Sequence, residues 1–351
     1  MKYQIFGQKS GLRVSTLALG TGNFGTVWPF GSSKEEAKTV FDRYAEAGGN
    51  FIDTADGYQA GQSEIYLSEF LASERDNFVL ASKYSMGTRN MQTTGNNRKT
   101  MMRAVEESLK RLKTDRLDLY WVHLSDEQTP IEEIVRGLDD LVRDGKINYA
   151  GFSNFPAWRI ANASLLADLR GWAPIIGIQV EYNLIERTAD RELLPMAEAL
   201  GLGVAFWSPL AGGTLTGKYR SKEVDPNSRL ALAGGLLVKD EKGERETAII
   251  DLVESIAKET GRNTIDVALA WIRQKYDEST LSTVSIIGPR NLKQLEDNLA
   301  SLTLTLTRDQ IKSLNEISQI SLGSPHEIIA ASQNNLFGRG TGLIEIKHPV
   351  A

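Results

Sequence analysis

The chain has 351 residues, of which 41% are hydrophobic and 24% are charged, and its formal net charge is −5. This ordinary globular composition gives no reason to expect nucleic acid or an anionic membrane as a partner, and the lack of cysteine excludes disulfides, thiolate metal sites and cysteine nucleophiles. The first fifteen residues contain no apolar stretch typical of a secretory signal, and no segment approaches the ~18 apolar residues of a membrane span. We therefore expect a cytoplasmic protein without a metal site.

Residues 1–15 predict a β-hairpin, because short apolar runs flank a turn that contains Gly7 and Gly11. Eight further runs are apolar throughout, which is typical of strands buried on both faces of a sheet. These runs are Thr16–Leu19, Asn50–Asp53, Phe78–Lys83, Leu117–His123, Tyr149–Ser153, Gly177–Glu181, Gly203–Trp207 and Val284–Gly288. Helices are predicted between them where apolar residues recur every three or four positions. They cover Ser33–Ala47, Lys99–Leu112, Ile131–Arg143, Arg191–Ala199, Thr247–Glu259 and Leu292–Leu302.

Alternating strands and helices indicate parallel strands, because a parallel connection needs a crossover. Eight such strands predict an α/β protein of the (β/α)8 TIM-barrel class, as one domain spanning residues 1–351. Two segments interrupt the alternation. Residues 220–245 are charged and contain glycine, so we expect an insertion after the seventh strand. Residues 321–351 are rich in Gly, Asn and Ser, and we expect a C-terminal tail near the substrate mouth.

Two glycine-rich segments match nucleotide-binding motifs but fail their structural requirements. Gly20–Gly25 matches G-x-G-x-x-G, which should open a helix at once, whereas Pro29 follows before any helical pattern. Gly212–Lys218 matches G-x-x-x-x-G-K, but Tyr219 stands where a P-loop needs Ser or Thr. We still expect the second segment to bind a phosphate, because phosphate sites in barrels are frequent near strands seven and eight.

Polar residues end three successive predicted strands. Asp53, Lys83 and His123 are the last residues of the second, third and fourth strands, and Tyr58 follows five positions after the aspartate. Each alone has a structural explanation, as a turn residue, a solvated charge, a core histidine or an interface aromatic. Because the carboxyl ends of barrel strands share one mouth, we expect the four side chains to meet there.

These four groups would form a coherent proton-transfer site. The ordinary pKa of tyrosine is ~10, so Tyr58 is a useful acid near neutrality only if its anion is stabilised. We expect the Lys83 ammonium to lower the pKa of Tyr58, and Asp53 to keep that ammonium charged. His123 is expected to orient a substrate carbonyl. Since no side chain supplies the hydride that such a carbonyl must also accept, a nicotinamide cofactor is predicted.

Seven segments with characteristic residues occur along the chain. They are Gly49–Tyr58, Leu80–Lys83, Asp118–His123, Gly151–Asn154, Gln179–Asn183, Trp207–Leu210 and Ile287–Arg290. Together they resemble the aldo-keto reductase superfamily, and the resemblance covers nearly the whole chain. Ser108–Leu112 and Leu322–His326 resemble its aryl-alcohol dehydrogenase-like branch, which is related to potassium-channel β subunits. His123 and Asn154 differ from the channel subunits, and the resemblance therefore favours an enzyme.

The resemblance implies a barrel that binds NADP(H) in an extended form, with Asp53, Tyr58, Lys83 and His123 as its catalytic tetrad. It also implies a set of cofactor-binding residues. They are Gly20, Thr21, Gly22, Asp53, Ser153, Asn154, Gln179, Trp207, Ser208, Pro209, Leu210, Ala211, Gly212, Lys218, Arg229, Gly288, Arg290, Gln294, Asp297 and Asn298.

Within this set the resemblance distributes roles along the cofactor. It implies carboxamide binding by Ser153, Asn154 and Gln179, and stacking on the nicotinamide by Trp207. It implies a pyrophosphate loop formed by Ser208, Leu210, Gly212 and Lys218, with Arg229 covering the cofactor. At the far end it implies 2′-phosphate binding by Gly288, Arg290 and Gln294, and adenine contact by Asn298. The guanidinium of Arg290 independently suits a phosphate dianion, which favours NADP(H) over NAD(H).

Aromatic residues near the predicted mouth suggest an apolar substrate wall. Phe24 and Trp28 lie on the loop that must cross the mouth, and Tyr84 directly follows Lys83. The predicted function is the NADPH-dependent, reversible reduction of an aldehyde or ketone, with an aryl or bulky carbonyl as substrate. Two alternatives remain open, a redox-sensing interaction protein that binds NADP(H) and turns over slowly, and a barrel hydrolase that uses Asp53 and Glu181.

Overall fold

The computed structural model describes residues 1–87, 90–220, 230–231, 238, 241, 243–338 and 340. Its ten strands share the predicted order. They are β1 (Tyr3–Ile5), β2 (Arg13–Ser15), β3 (Leu17–Gly20), β4 (Phe51–Asp53), β5 (Val79–Tyr84), β6 (Leu117–Val122), β7 (Ile147–Ser153), β8 (Ile175–Glu181), β9 (Gly203–Trp207) and β10 (Thr283–Ile287). Strands β1 and β2 pair antiparallel, and β3 to β10 form a closed parallel barrel in which β10 pairs with β3. The predicted (β/α)8 barrel with its N-terminal hairpin is therefore confirmed.

Helices connect the strands on the outside of the barrel. Those in the described ranges are α1 (Lys34–Glu46), α2 (Gln62–Phe70), α3 (Arg98–Leu112), α4 (Ile131–Arg143), α5 (Ala157–Arg170), α6 (Leu193–Ala199), α7 (Glu244–Thr260), α8 (Thr264–Lys275), α9 (Leu292–Ala300), α10 (Arg308–Ser318), α11 (His326–Ala331) and α12 (Gln333–Leu336). The six predicted helices correspond to α1, α3, α4, α6, α7 and α9, each within about three residues at either end. None of the described helices is both long enough and apolar enough to cross a bilayer.

One predicted segment differs from the observed structure, and another lies mostly outside the described residues. The tail contains the short helices α11 and α12, which its polar composition did not indicate. Most of the predicted insertion at 220–245 lies outside the described residues, and the helix that follows it starts at Glu244. The start of α1 is as predicted, since Ser33 accepts a hydrogen bond from the Glu36 amide while the Glu36 carboxylate accepts one from the Ser33 amide.

Strand periodicity divides the barrel residues into two sets. Alternate residues of each strand face the interior, so an apolar core inside the barrel is separate from the core between the strands and the helices. The interior core includes Phe51 on β4, Ala81 on β5 and Trp121 on β6. Two residues further along each strand, the chain reaches Asp53, Lys83 and His123, which therefore also face inward. Periodicity and strand length thus place the predicted catalytic residues above this interior core.

The N-terminal hairpin closes the opposite end of the barrel. Phe6 follows β1, is fully buried, and packs edge-on against Phe51 and Trp121 with ring centroids 5.9 and 6.2 Å away. Two strand glycines leave room for it, because a methyl group at Gly177 would lie 2.4 Å from the Phe6 ring and one at Gly203 would lie 2.8 Å from it. The hairpin thus supplies one side chain that fills the bottom of the interior core.

We expect Phe6→Ala to lower the free energy of unfolding by about 3–5 kcal/mol, because it leaves a cavity that rigid strands cannot collapse into. Urea denaturation would measure this loss. Ile5→Ala is the matched control, since the Ile5 side chain is 43% exposed and its truncation should cost about 1 kcal/mol or less. Equal losses in the two variants would show that Phe6 does not plug the barrel.

Candidate active site

Three neighbouring strands bring the predicted polar residues to one mouth. Asp53 is the last residue of β4, Lys83 is the penultimate residue of β5, and His123 directly follows β6. These strands pair in parallel, β4 with β5 and β5 with β6, so their carboxyl ends lie side by side. Tyr58 begins a short 3₁₀ turn after β4, which returns its phenol over the lysine.

The Lys83 ammonium lies at the centre of the site and is completely buried. Its three protons have three acceptors, which are Asp53 Oδ2 at 2.5 Å, the Thr54 carbonyl at 2.7 Å and the Tyr58 hydroxyl at 3.1 Å. The other carboxylate oxygen of Asp53 accepts a hydrogen bond of 2.8 Å from Gln179 Nε2. Burial lowers the pKa of Lys83, but the negative charge of Asp53 and the contact with Tyr58 outweigh it, so the net pKa is raised. Lys83 is therefore a fixed positive charge beside the phenol oxygen.

The pKa of Tyr58 differs in direction from the expected one. Burial of the phenol raises its pKa above 10, and although Lys83 opposes this by lowering it, burial has the larger effect. The expectation that the pKa of Tyr58 lies below its ordinary value was therefore wrong for the protein alone. The expectation that Lys83 acts to lower this pKa was correct. The phenol is neutral near pH 7 and holds the proton that an acid must donate.

His123 lies beside the phenol and is almost fully buried. Its ring meets that of Tyr58 edge-on, with centroids 5.9 Å apart. Burial, assisted by the nearby charge of Lys83, lowers the pKa of His123 from 6.5 to about 3. Its Nδ1 has no hydrogen-bond partner among the described residues. The imidazole is therefore neutral at physiological pH, with one donor and one acceptor nitrogen.

The residues assigned to the carboxamide lie next to this group. Ser153 ends β7, and Asn154 follows it in the left-handed region at φ 53°. The Asn154 amide donates to the His123 carbonyl at 3.0 Å and to the Ser153 hydroxyl at 2.9 Å, while its Oδ1 accepts a bond of 3.1 Å from Trp207 Nε1. Gln179 is already engaged with Asp53. The structure thus brings these four assigned residues together at the mouth, with Asn154 linking the loops after β6 and β7 to the end of β9.

The loop after β9 is a tight turn in which several residues lie in the left-handed region. Four of its residues, Ser208, Ala211, Gly212 and Gly213, have φ between 53° and 101°. The Gly212 amide donates to the Ser208 hydroxyl at 3.0 Å, and Pro209 and Leu210 complete the bend. The side chain of Ala211 is buried in the outer core, and its amide donates to the Ser208 carbonyl at 2.9 Å. Lys218 lies beside the glycines, since a methyl group at Gly213 would lie 2.7 Å from its Nζ.

A second group of assigned residues lies after β10. Gly288 is exposed, and the Gln294 side chain accepts a hydrogen bond of 2.9 Å from the Arg290 amide. On α9, Asp297 pairs with Lys293 at 3.0 Å. Asn298 is buried, and its Oδ1 has no partner in the part of the chain that the structure describes. Arg229 lies outside the described residues.

The first barrel loop closes the remaining side of the mouth. Gly20 ends β3, and the Thr21 amide donates to the Asp53 carbonyl at 2.9 Å. The Thr21 hydroxyl bonds inward to Asp53 and Ser63, so this side chain supports the site from below. A methyl group at Gly22 would lie 3.8 Å from the Tyr58 ring, and the absence of a side chain there leaves the space over the phenol open.

The predicted substrate wall is reduced to one residue. Trp28 is partly exposed and meets the Tyr58 ring edge-on at 6.2 Å. Phe24, in contrast, is fully buried and packs against Phe70 of α2. Tyr84 is also fully buried, because it is one residue beyond Lys83 on the strand and therefore faces the helices. Neither Phe24 nor Tyr84 lines the mouth in this structure.

Sequence reasoning missed the side chains that hold the loops around the site. Gln59 is fully buried and bonds the loop that carries Trp28. Asn96 is fully buried and donates to the Ser85 hydroxyl, which in turn accepts a bond from the His123 amide. A glutamine and an asparagine in polar segments carry no sequence signal for burial, so a single sequence offered no way to find them.

The protein is thus a parallel β/α barrel with a carboxylate, a phenol, an ammonium and a neutral imidazole grouped at its mouth. Comparison with known proteins identifies its family. The sequence model of the aldo/keto reductase family matches residues 16–319. The chain therefore belongs to the aldo/keto reductase family, as its motifs indicated.

Individual relatives are similar over nearly their whole length. A putative aryl-alcohol dehydrogenase of Saccharomyces cerevisiae is 32% identical, and the match covers 93% of this chain and 89% of the yeast protein. An NADP(+) aryl-alcohol dehydrogenase of Phanerodontia chrysosporium is 31% identical, with 95% and 90% covered. Norsolorinic acid reductase B of Dothistroma septosporum is 32% identical, with 95% and 85% covered. The family and these relatives support an oxidoreductase that acts on carbonyl groups.

The depressed pKa of His123 predicts a specific loss of stability in acid. The unfolded chain binds a proton on this histidine below about pH 6.5 and the folded protein only below about pH 3, so folding is disfavoured as the pH falls between these values. We expect the wild type to lose about 1.4 kcal/mol relative to His123→Gln for each pH unit below 6.5. Urea denaturation of both proteins between pH 7.5 and 4.5 measures the difference, and parallel curves would mean that His123 titrates normally.

Proposed function

We propose that the protein is an NADP(H)-dependent oxidoreductase that reduces aldehydes or ketones and, in reverse, oxidises alcohols. The observation that carries this proposal is the contact of the Lys83 ammonium with the Tyr58 hydroxyl at 3.1 Å, with the same ammonium held by Asp53 at 2.5 Å. This arrangement stabilises a phenolate at the moment when the phenol gives up its proton.

Each residue of the site has a distinct part in the reaction. Tyr58 donates its proton to the carbonyl oxygen of the substrate, and in the reverse direction its anion removes the proton of the alcohol. Lys83 stabilises that anion and Asp53 keeps Lys83 oriented. His123 is neutral and donates a hydrogen bond that orients the carbonyl oxygen. The nicotinamide supplies the hydride when it is bound.

Residues around the mouth fit an extended dinucleotide. At one end, Asn154 and Gln179 adjoin the tetrad. In the middle, the glycine-rich loop after β9 carries Lys218 beside Gly213, and a cation at this place in a barrel suits a phosphate. At the far end, the unpartnered and buried Oδ1 of Asn298 suits the amino group of an adenine. Arg290 suits a 2′-phosphate, and a relative whose name specifies NADP(+) supports that choice.

The nature of the mouth supports an aryl carbonyl as substrate. The edge-on contact between Trp28 and Tyr58 places an aromatic surface beside the acid. The names of several relatives specify aryl alcohols.

A hydrolase that uses Asp53 is less well supported, because both carboxylate oxygens of Asp53 are engaged by Lys83 and Gln179.

Tyr58→Phe should lower kcat for carbonyl reduction by roughly 10²–10⁴-fold, because it removes the acid and leaves the ring in place. The dissociation constant of NADPH, measured by quenching of protein fluorescence, should change little. Tyr66→Phe is the control, since Tyr66 lies on α2 and packs against Phe70 away from the site. Full activity in Tyr58→Phe would exclude the phenol as the acid.

The wild type tests the alternative function. If it binds NADPH but oxidises it only slowly with a wide panel of carbonyls, a redox sensor is favoured.

Arg290→Ala should weaken NADPH binding by roughly 10–100-fold, which corresponds to the loss of hydrogen bonds to a charged group. NADH lacks the 2′-phosphate, and its dissociation constant should change much less. Fluorescence titration with both cofactors measures the two effects. Arg308→Ala, which removes an exposed arginine from α10, provides the comparison. Similar losses for NADPH and NADH would contradict the 2′-phosphate assignment.

A further inference from the structure

The turn that follows Tyr58 has an unusual backbone. Gln59 and Ala60 have φ of 51° and 54°, and Gly61 continues the left-handed series at 91°. A side chain in this region costs on the order of 1–3 kcal/mol and persists where surrounding contacts hold it. Ala60 is exposed and has no side chain that could anchor the turn. The contacts that hold the turn must therefore be sought at Gln59.

The Gln59 side chain is fully buried and reaches across to the first barrel loop. Its Nε2 donates to the Gly22 carbonyl at 3.0 Å, and its Oε1 accepts a hydrogen bond of 2.7 Å from the Trp28 amide. One amide group thus bonds the beginning and the end of a loop segment seven residues long. Both ends of this segment adjoin the phenol, since a methyl group at Gly22 would lie 3.8 Å from the Tyr58 ring and the Trp28 indole meets the ring edge-on.

The loop is folded closely around this glutamine. A methyl group at Gly25 would lie 2.6 Å from the Gln59 Cβ, and one at Gly31 would lie 1.8 Å from the Gly25 carbonyl. Gly25 itself has φ of 145°, so a larger residue there would be strained as well as crowded. These glycines allow the loop to enclose Gln59 and bring the Trp28 amide within hydrogen-bond distance of its Oε1.

We propose that Gln59 is a positioning residue that fixes the Trp28 wall against Tyr58 and thereby sets the preference of the enzyme for aryl over small aliphatic carbonyls, an inference that rests on the proposed function. Gln59 contacts neither Lys83 nor Asp53 by a hydrogen bond, so it acts on the substrate side of the site. An aromatic ring that is held in place by backbone bonds on its own residue discriminates shape better than a mobile ring does.

The test is a double-mutant cycle between Gln59 and Trp28. Gln59→Met keeps the length of the side chain and removes both hydrogen bonds. The measured quantity is the ratio of kcat/KM for benzaldehyde to kcat/KM for propanal, with NADPH as reductant. We expect Gln59→Met to lower this ratio by roughly tenfold. In the Trp28→Ala background the same substitution should cause no further fall, because the wall on which it acts is gone.

Two further variants separate positioning from a general loss of structure. Gln62→Met is the matched control, because Gln62 also bonds the first loop, at the Thr26 amide (2.7 Å), but this bond is exposed and does not involve Trp28. It should leave the ratio unchanged. Gln59→Leu also removes both hydrogen bonds while keeping an apolar side chain of similar volume, so its ratio should fall as far as that of Gln59→Met.

Three results would overturn the proposal. Turnover of both aldehydes with an unchanged ratio in Gln59→Met would remove Gln59 from the control of specificity while leaving the proposed function intact. An equal fall of the ratio in the presence and absence of Trp28 would show that Gln59 acts by another route. A wild type that oxidises no NADPH with either aldehyde would refute the proposed function, and this inference with it.

Discussion

The buried ion pair between Lys83 and Asp53 is the constraint on which the rest of the site depends. A buried ammonium costs several kcal/mol in lost hydration, so it requires acceptors for all its protons and a carboxylate at contact distance. Both conditions are met here, and one of the acceptors is the Tyr58 hydroxyl. Buried pairs add little net stability compared with apolar side chains of the same volume. The proposed function accounts for the pair through its effect on the phenol rather than on folding.

Strand periodicity explains why the fold and the tetrad could be predicted from the sequence. Eight apolar runs are a strong signal because each buried parallel strand must be apolar on both faces. A polar residue at the end of such a run is costly unless it has partners, so Asp53, Lys83 and His123 stood out individually. The barrel then determines their proximity, since β4, β5 and β6 are neighbours and the three residues have the same inward parity. The capping box at Thr307 and Gln310 is a similar local signal, and it would have predicted α10.

The loops around the mouth could not be predicted in the same way. Their conformations depend on residues with positive φ that are not glycine, including Gln59, Asn154 and Ser208, and on buried amides whose partners are distant in sequence. The position of a residue next to a motif in the sequence also did not predict the direction of its side chain. Tyr84 adjoins the lysine yet faces the helices, and Phe24 belongs to the right loop yet packs beneath it. Predicting these placements requires the direction of each side chain, which only the folded backbone supplies.

Burial of the mouth acts on Tyr58 and His123 in the same electrostatic sense. A low-dielectric environment disfavours charge, so it raises the pKa of the phenol and lowers that of the imidazole, and both groups remain neutral near pH 7. A neutral tyrosine still has its hydroxyl proton to donate, and a neutral histidine has one N–H group that can donate a hydrogen bond to a carbonyl oxygen. Lys83 stays charged in the same environment because Asp53 lies beside it. In the proposed reaction, the positive charge would lie next to the oxygen on which negative charge develops, and the buried surroundings would strengthen that interaction relative to water.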